Sequence, residues 1–430
     1  MRCAAMPGLR PEPLTSPQRR RLLLRMGALA GGAGALASTA CAAPPAKPPA
    51  PAAARRLACD DFDALWAGFV SSFVQPDGRV LDPDTEARVS TSEGQAYGLF
   101  FALVADDRPR FDALLHWTRQ NLCGGDLAAR LPAWQWGRQR DGRWGVLDTN
   151  AASDADLWLA WTLIEAARLW NAPALATDGR ALLARIRAEE VVHVPGLGTM
   201  LLPGPQGFVS EDRLHWRFNP SYAPLHLLRG LASADPGGPW TVLAEQSART
   251  LPAIAPNGLA PDWATWTVEH TAPLRGHWVA DTQQGDTGSY DAIRCYLWAG
   301  VAPVDDPLRP ALLQGLSGMQ RHTRTLPLPE RFATRATTRA EPSAIARGTA
   351  PPGFIAALQP YLVALGDCTG AQQLAERLAT VCASPTTRLR YYDHALALFS
   401  AGWLQQRWRC DRHGRLQRAP STSTLRCQTP

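Results

Sequence analysis

Three acidic residues, Glu93, Asp154 and Asp291, stand at the head of long apolar segments: "SEGQAYGLFFALV", "SDADLWLAWTLIEAARLW" and "SYDAIRCYLWAG". Carboxyl groups that converge from distant parts of a chain can break a glycosidic bond: one protonates the leaving oxygen, and another activates water or attacks. Each acid also has an ordinary explanation. An acidic side chain in a helix's first turn is favoured by the helix dipole, and Ser92 with Gln95, like Ser153 with Asp156, has capping-box spacing. Convergence separates the two explanations. A general acid at a helix N-terminus has to be kept protonated by burial or by neighbouring carboxylates, which only a cluster supplies. Aromatic and polar residues gather beside the same acids, in "PAWQWG", "HWRFNPSY", "GSYDAIR" and "RYYDH". Rings of this kind provide stacking platforms for sugar faces. The 16 tryptophans are many for 430 residues, and core packing accounts for more than half of them.

For the acids to meet, the elements carrying them must be parallel and share one end. Apolar residues recur at helical spacing throughout, and no run of alternating strands is evident. The spacing predicts twelve helices, the first over 60–74 and the others starting near Glu93, Pro109, Asp154, Thr177, Asn219, Gly237, Ser289, Asp306, Gly353, Gly370 and Arg390. Those near Glu93, Asp154, Asn219, Ser289, Gly353 and Arg390 are apolar on most faces, and those between carry Arg, Asp and Gln on one face. Six buried helices alternating with six surface helices predict an all-α (α/α)6 barrel. Its parallel inner ring places six N-termini, and the three acids, around one groove.

A composition of 46% hydrophobic and 19% charged residues describes a globular chain long enough for a large core. The net charge of +6 does not indicate nucleic-acid binding, because Lys47 is the only lysine and the arginines are scattered singly beyond the N-terminus. No CxxC or HxxxH spacing occurs, so neither a metal site nor a cofactor is expected, and the absence of GxSxG disfavours a serine hydrolase. Residues 1–43 read as an export signal with a twin-arginine-like run at Arg19 to Arg21, cleaved after Ala40, Ala42 or Ala43. A lipid anchor at Cys41 is the alternative to a free mature protein, and no integral membrane span is expected. Residues 44–56 form a Pro/Ala-rich linker, and 57–430 a single catalytic domain working in the periplasm or secreted. Of its seven cysteines, Cys368 with Cys382 and Cys410 with Cys427 are the short-loop disulfide candidates, and an odd number leaves at least one thiol free.

The segment "ASDADLWLAWTLIEAARLW" (152–170) resembles the signature of glycoside hydrolase family 8, departing at Leu159 and Thr162. "TSEGQAYGLFFALVADDR", "RLPAWQWG", "EEVVHVPGLGTMLLPGPQGF", "WRFNPSYAP" and "SYDAIRCYLWAG" extend the resemblance over essentially the whole mature chain. Within the family it is similar to the periplasmic members encoded with bacterial cellulose synthase. The resemblance implies an (α/α)6 barrel and endo-acting hydrolysis of β-1,4-glucan with inversion, with cellulose chains as substrate and the cellulose synthase export machinery as a candidate partner. It implies Glu93 as general acid, Asp291 as general base and Asp154 as an acid that hydrogen-bonds and distorts the sugar. Arg294, one turn after Asp291, would hold a carboxylate. Trp134, Trp136, Trp216, Tyr222, Tyr290 and Tyr391 are the candidate sugar contacts. Asp281 and Asp286 are nearby acids that could be mistaken for the base. The Arg/Thr/Ala stretch 331–353 has no helical period, and would cover one end of the groove or be disordered. Chitosan, xylan or mixed-linkage glucan as substrate, or a non-catalytic cellulose-binding accessory, are the alternatives.

Overall fold

The computed structural model describes residues 59–419, except 272, 325–326, 336–345 and 385–386. The expected signal, linker, Cys41 and Cys427 lie outside the described residues. Thirteen helices are found among the described residues. The inner ring consists of α2 (Ser92–Val104), α4 (Ser153–Leu169), α6 (Leu225–Ala234), α8 (Ala292–Val301), α11 (Pro352–Ala364) and α13 (Tyr391–Leu404). The outer helices are α1 (Phe62–Phe73), α3 (Arg108–Leu122), α5 (Pro173–Glu189), α7 (Trp240–Ile254), the pair α9 (Arg309–Gly315) and α10 (Gly318–Thr323), and α12 (Cys368–Ala383). This is the predicted alternation, with one outer position split in two. The inner helices α6 and α8 begin a few residues later than expected, because Asn219 and Ser289 lie in the loops leading into them. No helix among the described residues is long and apolar enough to cross a membrane.

A ring of six helices encloses more space than aliphatic side chains fill, and here aromatic rings fill it. Phe399 of α13 lies within 5.4 Å, centroid to centroid, of Tyr97, Phe100, Phe101, Trp158 and Trp298. Trp158, Trp161 and Trp298 are at most 5% exposed, so much of the tryptophan content is core. Where two inner helices cross closely, glycine makes room: a Cβ on Gly300 of α8 would come within 2.4 Å of the Tyr361 backbone nitrogen on α11.

Two expected capping boxes are not formed. The cap of α2 is Thr91, whose hydroxyl accepts from the Gly94 N–H at 3.0 Å. The buried Gln95 amide instead accepts from the Val80 N–H and donates to Gly78, Leu114 and Thr118, so it binds the inner helix to its outer partner. Ala152, not Ser153, is the cap residue of α4, and Asp156 is fully buried. Five inner helices, α4, α6, α8, α11 and α13, have no capping side chain at the N-cap position; in α4 the Ala155 N–H is taken by Asp154 and the Ser153 N–H by the Pro203 carbonyl.

Short strands occupy the loops at the barrel ends, contrary to the absence of strands expected from periodicity. Strands of two to six residues between helical segments are too brief for alternation to stand out. β1 (Ser90–Thr91), β2 (Gln135–Arg138) and β3 (Trp144–Asp148) form one antiparallel sheet, and β4 (Val191–Val194) pairs with β5 (Gly198–Leu201). β6 (His215–Phe218), β7 (Ala264–Glu269) and β8 (Arg275–Ala280) form a second sheet, in which Trp216 faces Trp266 and Trp266 faces Trp278. β10 (Arg331–Ala333) lies between β9 (Thr287–Gly288) and β11 (Ala346–Arg347), so the start of the 331–353 stretch is tied to the loop preceding Asp291. Its middle falls outside the described residues.

The disulfide expectation is corrected. Cys59 pairs with Cys382, and Cys368 is also disulfide-bonded. Cys368 and Cys382 stand at opposite ends of α12, roughly 20 Å apart at 1.5 Å per residue, so they cannot join each other. Cys410 is a buried free thiol, as are Cys123 and Cys295.

His226 of α6 has no hydrogen-bond partner at either ring nitrogen among the described residues, and lies within 6.0 Å of Trp158, Trp161, Trp298 and Trp408. Burial lowers its pKa to about 3 from an ordinary 6.5. Below pH 6.5 the unfolded chain therefore binds a proton that the folded chain refuses, and stability falls with pH until about pH 3. The full gap corresponds to roughly 4–5 kcal/mol. Thermal melts of His226→Leu should show a flatter acid limb than the wild type between these limits. Parallel limbs would contradict this.

Candidate active site

The N-terminal turns of α2 and α4 and the start of α8 bring the three acids to one guanidinium. Arg294 has no solvent exposure, and sits one turn after Asp291. Its Nη1 donates to Glu93 Oε2 and, at 3.0 Å, to Asp154 Oδ2; its Nη2 donates to Asp291 Oδ1 at 2.9 Å. Nη1 also donates to the Tyr97 hydroxyl oxygen, and the Tyr222 ring lies 5.4 Å below the guanidinium carbon. Burial alone would lower the Arg294 pKa, but Tyr97, Tyr392, Glu93 and Asp154 around it prevail and hold it well above its ordinary value. A permanent cation thus gathers three acids, offsetting one of their charges.

Asp291 is held from a further direction. Its Oδ2 accepts from the Trp263 indole N–H at 3.2 Å. Trp263 is fixed in turn by stacking on Phe208 and by the Arg217 guanidinium above its ring. The Asp262 Oδ1 accepts from the backbone N–H groups of Ser289, Asp291 and Ala292 at 2.8 to 2.9 Å. It therefore caps α8 from another segment, and positions the backbone that carries Asp291.

Glu93 and Asp154 line a cleft with a volume of about 340 Å3, together with Trp134, Tyr222, Tyr290, Tyr391 and Tyr392. Its lining also includes the charged residues Asp82, Asp84, Arg388, Arg390 and Asp393. Burial raises the Asp393 pKa to about 6, and its carboxyl accepts from the Gly353 N–H at the start of α11. A cleft with flat rings, one buried cation and a cluster of acids suits a polyhydroxylated chain and acid–base chemistry at one bond.

Residues 52–406 match the profile of the glycosyl hydrolases family 8. The chain belongs to that family. It is 45% identical over 412 residues to an endoglucanase of Xanthomonas axonopodis pv. citri, covering 95% of this chain and 98% of that one. It is 41% identical over 351 residues to an endoglucanase of Escherichia coli K12, covering 82% and 89% of the two chains. Among solved structures, the endo-1,4-D-glucanase of Vibrio fischeri ES114 superposes with a TM-score of 0.74 at 37% identity, over 82% of this chain and 98% of that one.

In this family 8 hydrolase, the residues expected from the sequence divide into three groups. Glu93, Asp154, Asp291 and Arg294 meet at one point, and Trp134, Tyr222, Tyr290 and Tyr391 line the cleft. Trp136 does not line it; half-buried, it stacks with the exposed Trp144 and lies edge-on to Trp117, with the Arg79 guanidinium over its ring. Trp216 is a core residue, 1% exposed in the apolar cluster on the β6–β8 sheet, because its strand directs it inward against Trp266. Asp281 is engaged by Arg217 at 2.7 and 3.0 Å, whereas Asp291 is held by Arg294 beside Glu93 and Asp154; none of Asp281, Asp286 and Asp291 is among the residues lining the cleft itself.

Asp262, Trp263 and Asp393 are the functional residues that sequence reasoning missed. Asp393 was visible within "RYYDH". Asp262 and Trp263 carry no local signal, since their significance comes from a contact across nearly thirty residues.

Proposed function

We propose that this enzyme is an endo-acting β-1,4-glucanase that cleaves with inversion. The observation that carries this reading is the set of Glu93, Asp154 and Asp291 on one buried guanidinium beside an aromatic cleft. Glu93 donates its proton to the glycosidic oxygen as that oxygen's bond to the anomeric carbon breaks. Asp291 removes a proton from a water molecule, whose oxygen bonds to the anomeric carbon from the opposite face. Asp154 hydrogen-bonds the sugar at the cleavage point and favours its distorted form. Trp134, Tyr222, Tyr290 and Tyr391 supply platforms for sugar rings on either side. The curated relatives above, described as endoglucanases and aligned over most of both chains, support glucan as the substrate.

The same proposal places the enzyme outside the cytoplasm, acting on cellulose during its synthesis. The N-terminal export pattern and the Cys59–Cys382 disulfide support the compartment. The resemblance to members encoded with cellulose synthase supports the biosynthetic role.

A proton NMR time course on cellohexaose tests the chemistry. New reducing ends should appear first as the α-anomer and mutarotate afterwards. Initial β-anomer would exclude inversion, and no cleavage of cellohexaose alongside cleavage of xylan or chitosan oligomers would move the substrate assignment.

A further inference from the structure

Two carboxyl groups lie behind the cleft wall with no part in the reaction described above. Asp156 is on α4, two residues after Asp154, and Glu190 immediately follows α5. Both have no solvent exposure. Their carboxyl groups face each other closely enough for each to act on the other's protonation. None of their four oxygens receives a hydrogen bond from any other group among the described residues.

Two buried carboxylates in contact cannot both stay ionised, so the pair carries a proton. Burial, with Asp156 facing it, pushes Glu190 well above the usual carboxylate range. Burial also raises Asp156, while Glu190 opposes that rise. The charged and titratable neighbours do not neutralise the pair: Asp154 and Glu189 add negative potential. Cys123, at the end of α3, is pushed up to about 12 by burial, and Arg119, Arg130 and Asp126 act on that thiol. No arginine forms an ion pair with Asp156 or Glu190 among the described residues.

The pair closes a circuit. The Glu190 carbonyl accepts from the Leu202 N–H at 2.8 Å, and the adjoining Pro203 carbonyl accepts from the Ser153 N–H at 3.1 Å. The Asp156–Glu190 contact returns to α4, which has no capping side chain at its N-cap position. The turn carrying Asp154 is therefore fixed by Arg294 on the cleft side and by this circuit behind.

We infer that Asp156 and Glu190 are positioning residues for the hydrolysis: their shared proton locks the first turn of α4 against the end of α5, and its loss releases Asp154. This rests on the role proposed for Asp154. Glu190→Gln puts a non-titrating amide N–H where the shared proton was. With the folded pKa above the ordinary 4.5, the folded chain keeps a proton that the unfolded chain has lost, so this group's contribution falls as pH rises above 4.5. E190Q should therefore melt above the wild type, by a margin that widens toward alkaline pH.

In turnover on cellohexaose, the alkaline limb of kcat should move up by about one pH unit in E190Q, with KM unchanged. Glu190→Ala, which cannot bridge, should lower kcat by about ten- to a hundredfold, and the glutamine should restore it. Identical kcat–pH profiles for wild type and E190Q, or wild-type kcat in a folded E190A, would overturn the inference. Should E190A not fold, the E190Q profile decides. A wild type that cuts no glucan refutes the function and with it the role of Asp154, whereas the shared proton still stands or falls on the melts.

Discussion

Glu93→Gln is expected to lower kcat on cellohexaose by roughly 10²–10⁴-fold, the usual contribution of a positioned general acid. The amide preserves the side chain's shape, and its carbonyl oxygen can still accept from Arg294. It has no proton to give the leaving oxygen. Folding should be nearly unaffected, because Thr91, not Glu93, caps α2 and the core face of that helix is set by Gln95, Phe100 and Phe101. Oligosaccharide binding should also persist, since the rings lining the cleft remain. The measurement is a reducing-end assay beside a thermal melt and a titration with cellohexaose. A variant that turns over at the wild-type rate would pass the acid's role to another residue. A variant that melts many degrees lower would make Glu93 an anchor for Arg294 before anything else.

The barrel was legible in the sequence because its inner helices are apolar on nearly all faces, a condition met only by helices buried on all sides. The acids were legible because each stands at the opening of such a helix, Glu93 and Asp291 alone and Asp154 with Asp156 two residues on. Their capping partners were misread for a physical reason. Ser92 with Gln95 has the spacing of a local cap, yet Gln95 is buried where α2 meets α3, and the Val80 N–H, the Gly78 and Leu114 carbonyls and the Thr118 hydroxyl there engage its amide. Asp156 was read as a cap by the same logic, whereas burial gave it Glu190 as its partner. Trp216 and Trp134 look alike in sequence, each beside a polar motif and an aromatic neighbour. Trp216 is turned into the core by the register of β6 on β7, where a shift of one residue would exchange the two faces, whereas Trp134 precedes β2 and lines the cleft. Long-range holding contacts such as Asp262 to the Asp291 backbone leave no local trace.

Arg294 should prove the most costly of these residues to remove. In Arg294→Met the side chain keeps its length, and the core around Tyr97 and Tyr222 stays filled, so a cavity does not dominate the outcome. What changes is charge: Glu93, Asp154 and Asp291 remain close together with no cation between them. Removing one partner of a buried ion pair costs roughly 3–5 kcal/mol, and three acids on one cation place this case at the upper end. At roughly 2 °C per kcal/mol for a chain of this size, the melting midpoint should fall by about 10 °C. The abandoned acids can escape mutual repulsion by taking up protons, so the deficit should shrink as pH is lowered. Arg294→Lys separates geometry from charge, because one ammonium cannot reproduce a fork that holds Glu93 and Asp154 on one nitrogen and Asp291 on the other. It should recover much of the stability at neutral pH while turnover stays far below the wild type. Melts of R294M and R294K at acid and neutral pH, with kcat for each, check these outcomes. Wild-type melting in R294M would mean that the acids are held apart by the helices alone, and that the guanidinium is not what gathers them.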